Sequence, residues 1–315
     1  MTATFLLRRL ALMLFTLLVV STLIFGVTQL LPGDVAVAIL GQSATPEDLA
    51  TLRDQLGLNQ PAYVRYAEWL GGIVRGDWGT SLRLDTPVGP LIFERLERSL
   101  ALAGFAFLLG VPLAITLGVL AGLYRDRLAD HAISVTTLVA VSLPEFVSGA
   151  VLIVVFASWL RLLPPSSLIE PGASLLQSIR YLVLPAMTLM LVMLAHTARM
   201  TRASMVEVLS SNYIRTAILK GLPWREVVLR HALKNALLPT ITIVAMNVGW
   251  LIGGLIVVET VFGYPGLGRL LVDAIESRDV PLLQGITLLV AAIYAAANLA
   301  ADLLYGWLNP RLRTA

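Results

Sequence analysis

The chain has 315 residues, 57% of them hydrophobic and only 14% charged, with a net charge of +3. A soluble domain averages about 45–50% apolar and roughly 25% charged residues, so the composition is that of a membrane protein. It contains no cysteine, which excludes disulfides, thiol nucleophiles and thiolate metal sites, and its basic balance fits membrane topology better than nucleic-acid binding.

Arg8 and Arg9 precede an uncharged run, residues 10–31. That run is longer than the roughly 7–15 apolar residues of a cleavable signal, and no small-x-small site follows. It is predicted to be an uncleaved first span.

Residues 32–98 are polar enough to lie outside the bilayer. Thr45 is a predicted N-cap, with Pro46 in the first turn, acids behind it and Gly57 as the stop. Leu49, Leu52 and Leu56 share one face of that helix. Tyr63, Ala67, Leu70 and Val74 share one face of a second. Two short amphipathic helices follow from this, either a cap on the bundle or a docking surface. Asp48, Arg53, Arg65 and Glu68 lie on their opposite faces.

Five further runs, 99–124, 131–160, 181–198, 235–258 and 280–301, are apolar and, but for Glu145, uncharged. Each is long enough to cross a hydrocarbon core, which takes about 20 helical residues. Backbone groups in lipid must be satisfied internally, so these runs are helices and the chain has six spans. The connection 199–234 carries seven Lys and Arg against two acids, which places it, and with it both termini, in the cytoplasm.

Glu145 is a carboxylate in mid-span, beside Pro144, which removes a helical hydrogen bond and bends the helix. It reads either as a pathway or gate residue or as one partner of an interhelical hydrogen bond. Asp302 lies nearer the inner interface. No G-x-x-x-x-G-K-[ST] occurs, so nucleotide hydrolysis is not assigned to this chain. An intramembrane hydrolase would need a facing Ser and His, for which Ser148 and His196 are the candidates; Ser and Gly in membrane helices are usually packing residues. An ion-driven transporter would need ionisable residues along its spans, and only Glu145 and Asp302 serve.

Residues 213–239, YIRTAILKGLPWREVVLRHALKNALLP, are basic and broken by Gly221-Leu222-Pro223. Ile214, Ala217, Ile218 and Gly221 form a small and apolar stripe. Topology explains the charge but not the stripe or the break, which together suit a helix–turn–helix that enters a groove of another protein.

At these residues the chain resembles the permease subunits of ABC importers for dipeptides, oligopeptides and nickel, specifically the first of their two paired permeases. LPGD at 31–34, LGLNQP, RYAEWL and GDWGTSL resemble the family's opening and outer segment. YIRTAILKGL with HALKNALLP resembles its cytoplasmic loop, VVETVFGYPGLGRLL its outer loop, and NLAADLLYGWLNPRLR its C-terminal end. Arg215-Thr216-Ala217 stand where the wider permease pattern has E-A-A, Gly221 matches its glycine, and Asn309-Pro310-Arg311 stand for D-P-R.

The resemblance implies an all-α membrane protein with the type I ABC importer permease fold. Residues 1–31 hold the first span, 32–98 the external segment, and 99–315 a five-helix core with the coupling loop 199–236. It implies that Arg215, Thr216, Ala217, Lys220, Gly221 and Leu222 couple to the ATPase; Pro144, Glu145, Glu259, Phe262 and Tyr264 are the pathway or gate candidates. The Gly263–Gly266 turn reads as external gate or ordinary turn. The implied partners are a second permease, two cytoplasmic ATPases that bind ATP and Mg²⁺, an external solute-binding protein and the bacterial inner-membrane bilayer. No catalytic residue, cofactor or metal is expected on this chain. Peptide is the expected cargo, with nickel and glutathione as alternatives.

Overall fold

The computed structural model describes residues 3–30, 45–55, 59–168 and 175–308. The described residues are helical apart from turns and one isolated bridge between Thr80 and Pro87. The helices are α1 (Ala3–Leu30), α2 (Pro46–Gln55), α3 (Ala62–Arg75), α4 (Val88–Leu123), α5 (Leu128–Ser142), α6 (Glu145–Trp159), α7 (Leu175–Leu209), α8 (Asn212–Leu219), α9 (Trp224–Phe262), α10 (Leu267–Glu276) and α11 (Val280–Leu308). They form two compact units. One holds Ser99–Pro265 and the C-terminal residues from Ala297; the other holds the residues up to Arg98 together with Gly266–Ala296.

Among the described residues, five helices are long and apolar enough to cross a membrane. The predicted sixth span is a pair, α5 and α6, bent by 111°, and six spans result only if this pair counts as one. The cause is local. Leu143 precedes a proline and is extended, with φ −90° and ψ 131°, because the pyrrolidine ring excludes it from the helical region. Pro144 donates no backbone hydrogen bond, and α6 starts afresh at Glu145. The kink expected from the sequence is therefore a full break.

In the unit containing Ser99–Pro265, α4 presents Gly110, Ala114, Gly118 and Gly122 at four-residue spacing toward α7. A Cβ on Gly118 would lie 2.5 Å from the Ala198 carbonyl oxygen, and one on Gly122 2.5 Å from the Met205 Cβ. The small residues let the two backbones approach, as membrane helices do where lipid offers no hydrophobic drive. α7 joins α9 through polar pairs: Thr201 with Thr240 at 3.1 Å, and the Asn247 amide donating to Thr197 Oγ1 at 2.9 Å. Leu102, Leu184, Leu255 and Phe262 fill the core beside them.

In the other unit, Val88, Ile92, Leu267, Leu270, Ala274 and Ile286 make the core. The Thr45 cap forms as predicted: its hydroxyl accepts from the Asp48 amide at 3.2 Å and donates to the Asp48 carboxylate at 2.6 Å. The Leu52 side chain, Leu56 and Gly57 lie outside the described residues. The predicted packing face of α3 needs correction. Tyr63 and Val74 are 75% and 81% exposed. The helix turns Tyr66 and Trp69 onto α1 instead, where Phe25 meets their rings at 5.4 and 5.9 Å and the Tyr66 hydroxyl pairs with Ser21 at 2.8 Å. Two aromatic rings bury more area than Tyr63 with Ala67, and the phenol finds its partner.

Candidate functional site

The connection between α7 and α9 is a compact helical corner. Ser210 and Ser211 end α7, and α8 runs for eight residues. Gly221, with φ +76°, then closes α8: its amide bonds the Ile218 carbonyl at 2.9 Å and the Leu222 amide bonds the Ala217 carbonyl at 3.4 Å. This is the Schellman pattern, which needs a left-handed residue where Gly221 stands. Pro223 restarts the chain as α9, whose first turns are π-helical over Val227–Ala232; π turns cluster at functional positions.

The orientation of α8 corrects the stripe read from the sequence. Ile214 and Ala217 do not face outward. They are 0% and 7% exposed and pack on Met205, Val227, Ala232 and Ala236 of this chain. Leu222 packs against the same cluster. Arg215, Thr216, Lys220 and Gly221 are exposed, together with Ile218, Leu219 and Trp224. The free face is thus apolar at its tip and basic around it. Asn235 reaches back to the Tyr213 hydroxyl at 2.8 Å, a side-chain tie between α8 and α9 beyond their shared core.

A separate polar contact ties α7 to α5. Arg202 near the end of α7 holds Asp130 of α5 by two bonds, at 2.5 and 2.6 Å. Asp130 also accepts from the Asp126 amide at 2.9 Å. Sequence reasoning missed this pair, because its members lie 72 residues apart and each reads as ordinary loop charge.

The gate candidates fall into two groups. Glu259, Phe262 and Tyr264 are 0%, 1% and 4% exposed. Ser99 Oγ donates to the Glu259 carboxylate at 2.5 Å, the Tyr264 amide caps the Glu259 carbonyl at 2.9 Å, and the Ser167 amide bonds the Phe262 carbonyl at 2.8 Å. Gly263, at φ +65°, ends α9 with the same cap as Gly221. Gly149 of α6 leaves room for the Phe262 ring, which a Cβ would approach to 3.2 Å. These three residues are therefore packed in the core.

Pro144 and Glu145 stand at the α5–α6 break. The Glu145 carboxylate lies flat on Gly254 of α9, where a Cβ would come within 2.9 Å of one oxygen and 3.1 Å of the other. It borders a small cavity with Asn247, Trp250, Met193 and Leu189. Asn247 and Trp250 are further residues the sequence reading passed over, although an Asn inside the apolar run 235–258 was a readable signal. Ser148 and His196 serve other contacts: the Ser148 hydroxyl bonds the Pro144 carbonyl at 3.3 Å, and the His196 ring meets Trp250 edge-on at 5.5 Å.

Residues 114–314 match the family described as binding-protein-dependent transport system inner membrane component, and residues 2–102 match the N-terminal family of such membrane components. A protein of Sinorhizobium fredii, named as a probable peptide ABC transporter permease, is 38% identical over 309 residues, covering 98% of this chain and 99% of its own. The dipeptide transport system permease protein DppB of Escherichia coli K12 is 36% identical, covering 98% of each chain.

Proposed function

The chain belongs to the binding-protein-dependent transport system inner membrane components, and from this we propose that it is one of two paired permeases of an ATP-driven importer of di- or oligopeptides. The observation that carries the peptide reading is the full-length similarity, at 36–39% identity, to relatives named for peptide transport. In this reading residues 99–315 form the translocation core and 32–98 the external segment. The α7–α9 connection faces the cytoplasm with both termini.

ATP and Mg²⁺ are bound by two partner ATPases, and an external binding protein delivers the peptide. The exposed tip of α8, with Leu219 and Trp224 flanked by Arg215 and Lys220, is the part suited to a cleft of an ATPase. Because Ile214 and Ala217 are locked into this chain's own core, a push on α8 moves α7 and α9 with it. The Asp130–Arg202 pair passes that motion to α5, and thus to the break at Pro144. Two states that differ in such contacts are what ATP binding and release would switch between.

The test is reconstitution with the companion permease, ATPases and binding protein in liposomes. ATP-dependent uptake of a labelled dipeptide supports the reading. Uptake of nickel or glutathione in place of peptide would reassign the cargo. A permease pair that retains no ATPase would overturn the importer assignment.

A further inference from the structure

We propose that Glu145 and Asn247 form a station for the N-terminal ammonium of a peptide in transit, a reading that rests on the peptide-importer assignment. Among the described residues the Glu145 carboxylate makes no hydrogen bond or ion pair. A bare carboxylate at membrane depth is costly and is retained where a pathway or partner uses it. Gly254 makes the site possible. The missing Cβ lets both carboxylate oxygens rest against α9 here; a Cβ would lie 2.9 and 3.1 Å from them, and the side chain would have to shift.

The cavity beside it admits the centre of one water-sized group, about 10 Å³. Its polar lining offers acceptors. Asn247 is 7% exposed and lines the cavity; one of its two Nδ2 protons goes to Thr197 Oγ1 at 2.9 Å, and its Oδ1 accepts no hydrogen bond from the described residues. Trp250 adds an aromatic ring, which attracts cations. One negative charge, one amide oxygen and one indole around a space for a single heavy atom favour a compact cation, and a primary ammonium is the one a peptide carries. Water matches the size without the charge; a guanidinium is too large, and a carboxylate would be repelled.

A peptide's α-amino group, with an ordinary pKa of about 7.7–8.0, is largely protonated at neutral pH. It loses its water on entering a span, which disfavours the charged form there. The station replaces that water, and so favours substrates with a free N-terminus.

The experiment uses the complete reconstituted importer with Glu145→Gln and reads peptides taken up per ATP hydrolysed. The ratio should fall about tenfold for a free-amino dipeptide, the loss of one charge-assisted bond. A ratio within twofold of wild type, while wild type transports peptide, overturns the station and leaves the importer reading intact. An importer that moves no peptide even as wild type fails at the earlier step. Loss of the companion permease from purified Glu145→Gln would show that the carboxylate serves subunit pairing instead. Uptake by wild type that stops when sodium and potassium are replaced by choline would give the site to an inorganic cation, against the proposal. Gly254→Ala provides a second variant: its methyl displaces the carboxylate without removing the charge, and it should lower the same ratio.

Discussion

Arg202 grips Asp130 through two parallel bonds, Nε to one carboxylate oxygen and a terminal nitrogen to the other. The geometry is bidentate, the strong form of an ion pair. The Asp130 side chain is 3% exposed and that of Arg202 32%. Removing one member of a buried pair leaves the other charge uncompensated, at about 3–5 kcal/mol. Asp130→Ala should therefore destabilise the permease by about 3 kcal/mol, toward the lower end because Arg202 can reach water. Arg202→Lys should restore only part of what Arg202→Ala loses, since an ammonium cannot make both bonds. Denaturant unfolding in detergent micelles measures both. Wild-type stability in Asp130→Ala would show that the pair is dispensable.

Leu219 and Ile214 separate docking from folding. Leu219 is 80% exposed and Ile214 fully buried. Ile214→Ala should cost about 2–5 kcal/mol of stability. Leu219→Asp should change stability by no more than about 0.5 kcal/mol, yet reduce the ATPase that co-purifies. Full ATPase occupancy in Leu219→Asp would remove the apolar tip of α8 from the docking surface.

The spans were legible because runs such as 99–124 exceed the thickness of a bilayer without a charge, and the Thr45 cap because its chemistry is local. The direction of the α8 stripe was not legible. Ile214 and Ala217 are small and apolar for a groove in a partner or for the chain's own core alike, and only the return of Val227 and Ala232 beneath them decides between the two. α10 was missed although Leu267, Leu270, Leu271 and Ala274 keep helical spacing, since the Gly and Pro residues before it read as a turn alone. The neighbours of Glu145 stayed hidden for a different reason. Asn247 and Gly254 are brought to it across a break of 111°; Pro144 marks where the break falls, but the size of the bend and the residues it brings together are not written in the local sequence.

Gly221 supplies a conformation rather than a small volume. A Cβ there would meet nothing within 4 Å, but φ is +76°. A β-carbon in the left-handed region costs roughly 1–2 kcal/mol, least for Asn. Coupled ATPase activity in the complex should thus fall in the order Asn, Ala, Val at this position. If bulk at a tight docking face were decisive, Ala would be the mildest of the three and Asn would resemble Val.

Asp279 fastens the loop before α4 to the start of α11. It is 1% exposed. One carboxylate oxygen accepts from the Ser81 hydroxyl at 2.5 Å and the Arg83 amide at 3.3 Å; the other accepts from the Leu282 amide, at 3.3 Å, in the first turn of α11. Asp279→Ala removes an N-terminal cap worth about 1 kcal/mol. It also leaves the proton of the buried Ser81 hydroxyl without an acceptor, although Ser81 Oγ still accepts from the Leu84 amide at 3.1 Å, a further cost of about 1 kcal/mol. Ser81→Ala alone should cost about 1.5 kcal/mol, because the carboxylate keeps its two amides. In the Asp279→Ala background the same change should cost less, since only the bond from the Leu84 amide remains to be lost. A double-mutant cycle by denaturant unfolding reads this directly. Strictly additive losses would mean that Ser81 and Asp279 stabilise the protein independently, and that the loop is held by its backbone contacts.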